Sequence, residues 1–260
     1  MSWIPVSVEG HFGEWLQGRI GEDGPVALVT VRCPALTVSA PGEGELPFTR
    51  DQLARFAAWL GIAPRFPGTT RTAPLGGGAG TSSATLIALA RAAGATASAE
   101  TLAAACLAIE GASDPLMFAR PDALLWASRE GRILRQLPPP PACDILGGFW
   151  GAPHRTDPGD EDFDDISDLA EAWAGAVTLR DLPSCATLAS ASARRCTDRR
   201  GPPDPLPELA RDLGALGWLR AHTGSARGLI FAPETLPVNG PAALAEAGLT
   251  DALCFRTGAA

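Results

Sequence analysis

Four glycines fill the five positions from Gly76 to Gly80, and three hydroxyl residues, Thr81, Ser82 and Ser83, follow at once. With so few side chains, the stretch Pro74-Leu75-Gly76-Gly77-Gly78-Ala79-Gly80 can turn successive backbone N–H groups toward one point. Leu86, Ile87, Leu89 and Ala90 then open an apolar helical face, so the loop feeds a helix N-terminus whose dipole adds positive potential there. Such a place holds phosphate, and the hydroxyls can donate to phosphate oxygens or ligate Mg2+. A Walker A loop ends in Gly-Lys-Ser/Thr, and it is excluded because all 21 basic residues are arginine. The dinucleotide fingerprint fails as well, with Ser83 standing where its third glycine belongs. A flexible linker is the bland alternative, but linkers seldom run into three hydroxyls and an amphipathic helix.

Three further stretches carry titratable or backbone-exposing groups. Gly10-His11-Phe12-Gly13-Glu14 lies between strand-like segments and reads either as a site loop or as an ordinary turn with a solvated Glu14. Glu110 closes a helix against Gly111. A carboxylate in the last turn opposes the helix dipole by roughly 0.3–1 kcal/mol, which an arginine or a divalent metal would offset. Asp114 precedes Pro115, a pairing that suits a helix N-cap as well as a catalytic role. His222-Thr223-Gly224-Ser225-Ala226-Arg227-Gly228 runs into the apolar segment Leu229-Ile230-Phe231-Ala232, as a second backbone-exposing loop or a plain helix-to-strand connection.

The elements that must position these groups follow from pattern. Residues 4–40 read as β, with a hairpin turning at Gly21-Glu22-Asp23-Gly24. Thr49 with Gln52 forms a capping box for a helix that ends at Gly61, and Ser98 caps a helix buried along Leu102, Cys106 and Ile109. A second hairpin turns at Ser128-Arg129-Glu130-Gly131. Pro138 to Pro141 reads as a junction between an N-terminal unit at 1–140 and a C-terminal unit at 141–260, or as a stiff loop inside one domain. The acidic run from Asp157 to Asp168 reads as solvated loop and helix start, and Leu209, Leu213 and Leu216 as a helix ending near Ala221. A net charge of −8 argues against a nucleic-acid partner or an anionic membrane surface, and no apolar run reaches transmembrane length. Six scattered cysteines without a C-x-x-C pair, and an N-terminus (Met1 to Pro5) without signal-peptide features, fit a reduced, buried set in a cytoplasmic protein.

Taken in order, the three loops resemble those of the GHMP kinases (galacto-, homoserine, mevalonate and phosphomevalonate kinases). Pro74 to Ala84 is similar to that superfamily's P-x-x-x-G-x-x-S-S-A phosphate loop. Gly10 to Gly18, Ile109 to Asp114 and Ser128 to Gly131 look most like its propanediol-utilization branch, of L-threonine kinase activity. The resemblance implies a two-domain α+β fold, ribosomal-protein-S5-like at the N-terminus and ferredoxin-like at the C-terminus. It implies an ATP-dependent kinase acting on the hydroxyl of L-threonine or a related amino-alcohol, supplying a cobalamin side-chain precursor. ATP would lie over Pro74, Gly76, Gly77, Gly78, Ala79, Gly80, Thr81, Ser82 and Ser83. Ser82 (or Thr81) and Glu110 would hold Mg2+, and Asp114 with Ser82 would be catalytic. Asp114 could serve as base, substrate-amine partner or cap. His11, Glu14, Gly224 and Ser225 would contact the acceptor, with residues 147–151 nearby. A homodimer is compatible with the sequence.

The chain departs from that pattern in three places. Glu9-Gly10 replaces the usual Pro-Gly, Gly77 replaces a loop lysine, and Thr85 replaces an acid after the serines. Arg71, Arg129 or Arg227 could compensate. Two other readings stay open: a non-catalytic nucleotide- or metabolite-binding relative, and a serine hydrolase using Ser82 with His222 as base.

Overall fold

The computed structural model describes residues 3–259, so Met1 and Ser2 of the N-terminal reading lie outside the described residues. Strands β1 (Val6–Arg19) and β2 (Val26–Gly42) form the expected hairpin, closing at the Arg19–Val26 pair. Gly10 to Glu14 is not a loop between strands but the irregular middle of β1. Register shifts there leave Phe12 and Gly13 unpaired between the His11–Arg32 and Glu14–Thr30 pairs. A bulge of this kind twists the strand and re-aims its side chains.

Helix α1 (Arg50–Leu60) carries the Thr49–Gln52 capping box and ends at Gly61 in the left-handed region, φ 64°. Strand β3 (Gly68–Arg71) leads into the glycine loop, followed by α2 (Thr81–Ala92) and α3 (Ala99–Glu110), the latter capped by Ser98 as expected. Strands β4 (Leu124–Ala127) and β5 (Arg132–Gln136) make the second hairpin. The second half adds β6 (Cys143–Phe149), α4 (Ser167–Thr178), α5 (Leu182–Arg200), α6 (Leu206–Leu213), β7 (Gly217–Arg220), β8 (Ala226–Phe231), α7 (Gly240–Glu246) and β9 (Thr250–Thr257). The helix expected to run to Ala221 stops at Gly214, whose φ of 69° breaks it. Trp218 and Leu219 pair instead with Leu229 and Gly228, so the third loop is a β-hairpin turn rather than a helix-to-strand connection.

The sheet runs β5-β4-β2-β1-β7-β8-β6-β9, with β3 against β2. The tetraproline joins β5 at one edge to β6 near the other, so the division at residue 140 parts β1–β5 from β6–β9. The sheet is nevertheless continuous across it through one register pair, Glu14–Arg220. Phe12 spans the seam, edge-on to Phe149 and Phe255 at 5.7 Å each, in a buried cluster that also holds Trp15, Leu16, Ile145, Leu219 and Ile230. A second cluster packs α2 and α3 on the N-terminal strands, and a third packs α6 and α7 on β6 and β8. All six cysteines are free; Cys254, expected buried, is exposed because it lies on the edge strand β9.

Candidate active site

The glycine loop is held from behind by its carbonyls. Gly76 O accepts from His154 N, Gly77 O from Ala226 N, Gly78 O from Gly13 N and Ala79 O from His11 N, at 2.8–3.1 Å. Gly76, Gly78 and Gly80 alternate into the left-handed region, at φ 77°, 76° and 62°. With its carbonyls engaged outward, the loop is left to present N–H groups to the opposite side. Gly80 is the N-cap of α2 and supplies no side-chain cap, so the first-turn N–H groups of Thr81, Ser82 and Ser83 are served by none. This is the geometry of an anion site.

The loop forms one wall of a cleft of about 280 Å³. His11, Glu14, Glu110, Asp114, Arg129 and Arg155 line it together with Gly76, Gly78, Ala79, Gly80, Thr81, Ser82 and Ser83. Ser83 Oγ donates to Glu110 Oε2 at 3.2 Å and accepts from Asp114 N at 3.3 Å. Burial pushes the Glu110 carboxyl up to about 7, against the pull of hydrogen bonds from Ser82 and Ser83. Glu110 makes no ion pair among the described residues, and the charge of Arg155 offsets its burial only in part.

His11 sits between two acids. Its Nε2 lies 3.4 Å from Asp114 Oδ1 and its Nδ1 lies 3.7 Å from Glu14 Oε1 and 3.3 Å from Gly13 O. Burial disfavours the imidazolium, but Asp114, and to a lesser extent Glu14, outweigh it and raise His11 to about 9. Burial would raise Asp114 too, but His11 more than offsets it and holds that carboxyl below the usual range. Burial lifts Glu14 to about 7, although His11 opposes this and His222 N donates to its Oε2 at 2.5 Å. Near neutral pH the centre is therefore an Asp114 carboxylate against a His11 imidazolium. Because His11 is raised above 6.5 on folding, its stabilisation is full below pH 6.5 and is lost as pH climbs through about 9. Thermal melts should show a falling midpoint from about pH 7 to pH 10, and the His11→Asn variant should lack that fall.

Asp114 caps no helix. Pro115 opens a turn closed by Phe118 N on Pro115 O at 3.1 Å, and with Pro121 six residues on there is no room for an α-helix. Gly224 and Ser225 do not line the cleft. Gly224 backs the glycine loop, where a Cβ would fall 2.2 Å from Gly78 N. Residues 147–151, Pro74 and Gly77 are absent from the lining too; a side chain at Gly77 would meet the Phe149 ring at 2.9 Å. Thr85 is buried and donates to Thr81 O at 2.7 Å, facing the helix rather than the cleft. Neither Gly77 nor Thr85 lines the cleft. Of the three compensating arginines, Arg129 reaches it, Arg71 bonds Glu45 O, and Arg227 pairs with the buried Asp204 at 2.8 Å. Arg155 and Ser113 were missed. Arg155 comes from an irregular segment without periodicity, whereas Ser113 was legible only as the neighbour of Asp114.

No family model matches the chain, and no curated protein is significantly similar to it in sequence. Solved structures match along its whole length. Mevalonate kinase from methicillin-resistant Staphylococcus aureus MRSA252 superposes with a TM-score of 0.62 at 13% identity, over 96% of this chain and 98% of that one. Phosphomevalonate kinase from Streptococcus pneumoniae gives 0.62 at 12% identity over 100% of both chains. Homoserine kinase from Cytophaga hutchinsonii ATCC 33406 gives 0.58 at 14% identity over 98% and 94%. The chain has the α+β fold of these GHMP kinases.

Proposed function

We propose that this protein is an ATP- and Mg2+-dependent kinase that transfers the γ-phosphoryl group to the hydroxyl of a small molecule, L-threonine or a related amino-alcohol. One observation carries the reading. The N-terminus of α2, without a side-chain cap, the Ser82–Ser83–Glu110 cluster and the Asp114–His11 pair all face one cleft. The fold is shared with mevalonate, phosphomevalonate and homoserine kinases, which supports the same reaction class. The threonine assignment rests on the resemblance of Gly10 to Gly18, Ile109 to Asp114 and Ser128 to Gly131 alone.

The roles follow from the chemistry of each group. Backbone N–H groups of Gly76 and of Gly78 to Ser83 bind the phosphates, and Arg129 and Arg155 supply the cations the loop lacks. A buried carboxylate flanked by two hydroxyls and paired with no arginine suits a hard divalent cation. Ser82 and Glu110 would hold Mg2+, which neutralises phosphate charge. Asp114, kept ionised by His11, accepts the proton of the attacking hydroxyl, and positioning with charge stabilisation does the remainder. The hydrolase reading lacks its base: His222 Nε2 meets no hydroxyl among the described residues.

Purified protein incubated with ATP, Mg2+ and a panel of L-threonine, L-serine, L-homoserine and mevalonate should phosphorylate at least one hydroxyl. Glu110→Gln should lower kcat roughly 10²–10³-fold and raise the Mg2+ concentration needed for half-maximal rate. Failure to bind ATP or to form product from any acceptor sinks the proposal. ATP binding without transfer points to the non-catalytic relative.

A further inference from the structure

Residues 150–166 join β6 to α4 with neither a helix nor a strand, and a connection of that length is uncommon in a compact chain unless it serves the site it borders. Its first part lies along the rim of the cleft. His154, Arg155 and Thr156 are among the lining residues, and three neighbouring walls are tied to it. His154 N donates to Gly76 O at 2.9 Å, Thr156 Oγ1 and Thr223 Oγ1 share a hydrogen bond of 2.8 Å, and Arg129 Nη2 donates to Asp157 O at 3.2 Å. The glycine loop, the β7–β8 turn and the β4–β5 hairpin thus meet on one segment. Residues 151–159 are exposed, so burial contributes little to holding them there.

The anchor lies further along. Asp160, Asp162 and Asp164, in the acidic run expected to be solvated, pair with the last two residues of α5. Arg199 reaches Asp162 and Asp164 in the open, where an ion pair contributes little. Arg200 is different. Its side chain is 20% exposed and that of Asp160 21%, and the two meet through two bonds, Nη1 on Oδ1 at 3.0 Å and Nη2 on Oδ2. Nη1 also donates to Asp162 O at 2.7 Å, and the guanidinium lies 4.3 Å from the centre of the Phe163 ring. Phe163 is buried, and its ring meets that of His222 edge-on with centroids 4.0 Å apart. Arg200 itself does not line the cleft. It stands outside and reaches three groups inside, Arg129 and Arg155 through the segment and His222 through Phe163.

We propose that Arg200 is a positioning residue for this cleft: by holding Asp160 and Phe163 at the end of α5, it keeps residues 154–163 laid along the rim and so fixes Arg129, Arg155 and His222 against it. The identity of the ligand, ATP, rests on the kinase reading above; the contact does not. The effect falls on nucleotide binding more than on the chemical step, because Arg129 and Arg155 are the arginines of the cleft among the described residues.

The test combines hydrogen exchange read by mass spectrometry, imidazole NMR, calorimetry with a non-hydrolysable ATP analogue, and steady-state kinetics, all on the full chain. Arg200→Gln should speed exchange over residues 152–164 about 10-fold and leave the rest of the chain unchanged. The His222 imidazole signal, displaced by the Phe163 ring, should move toward that of free histidine. The Kd of the ATP analogue should rise roughly 5- to 30-fold, with KM for ATP in step and kcat lowered less than about threefold. Arg200→Lys keeps the charge but not the fork, and should recover only part of each loss. Asp160→Asn should reproduce Arg200→Gln, and the double variant should add little to either. Arg195→Gln breaks a two-bond pair with Asp168 earlier on the same helix, and its backbone bond, to Asp165 O, lies past the segment. That variant should change none of these readings. Unchanged exchange with an unchanged His222 signal overturns the proposal, and so does faster exchange with nucleotide affinity intact. A wild-type chain that binds no ATP analogue sinks the kinase reading instead; exchange and the His222 signal then decide the positioning role by themselves.

Discussion

Replacing Asp114 with asparagine is expected to lower kcat by roughly 10²–10⁴-fold, the usual contribution of a positioned general base. The asparagine keeps the shape of the side chain and leaves the backbone N–H of residue 114 on Ser83 Oγ, now 3.3 Å away. What disappears is the carboxylate that faces His11 Nε2 at 3.4 Å and dominates the attractive charge on that ring. Two consequences separate this from a general loss of structure. Nucleotide affinity should hold within about threefold, because the phosphates are bound by the backbone of the glycine loop and α2 rather than by Asp114. His11 should titrate below its wild-type value of about 9, since burial then opposes its charge with only Glu14 and Gly13 O in support. Steady-state kinetics, equilibrium ATP binding and the imidazole NMR signal of His11 measure the three effects. A kcat within threefold of wild type would remove Asp114 from the chemistry and leave positioning to do the work.

What made Asp114 ambiguous in the sequence is what the fold resolves. Asp-Pro is a good cap signal locally, and only the turn at Pro115 and the arrival of His11 from β1, more than 100 residues earlier, give the carboxylate another partner. Elements whose signal is local were legible: the capping box at Thr49, the cap at Ser98, both hairpins, and the glycine loop running into α2. So was Glu110, because an acid in a last helical turn is locally unfavourable and invites a tertiary explanation. Non-local pairings were not legible. Gly217–Arg220 continued an apolar pattern that fitted a helix, and its pairing with β8 decided otherwise. The bulge that turns His11 and Glu14 into the cleft depends on a register shift against β2, which alternation along one strand does not encode. Ser113 and Ser128 are small hydroxyls of no local distinction.

Gly224 carries the second large expectation, and it tests whether the glycine loop is the phosphate cradle at all. A Cβ at this position would lie 2.2 Å from Gly78 N, 2.4 Å from Gly77 C and 2.5 Å from Gly78 Cα. Every one of those atoms is backbone, so no side chain can swing away to make room. The turn cannot retreat either: Ala226 N is bonded to Gly77 O at 2.8 Å, and Gly224 O accepts from the buried Arg227 Nη1 at 3.1 Å. Gly224→Ala must therefore push the loop at Gly77 and Gly78 toward the cleft and tilt the N–H groups that the alternating φ values aim there. Overpacking of this kind costs about 1–3 kcal/mol, which in a chain of this size lowers Tm by a few degrees and leaves the protein folded. The functional loss should be larger than the structural one. Misaiming several phosphate donors at once is expected to raise KM for ATP roughly 10- to 100-fold while acceptor affinity changes little. Gly175→Ala is the matched control. Nothing lies within 4 Å of its Cβ position inside α4, so the substitution should leave ATP binding alone and stabilise the helix by about 0.5–1 kcal/mol. If Gly224→Ala lowered Tm as expected but bound ATP normally, the loop would be a structural turn and the phosphates would have to lie elsewhere in the cleft.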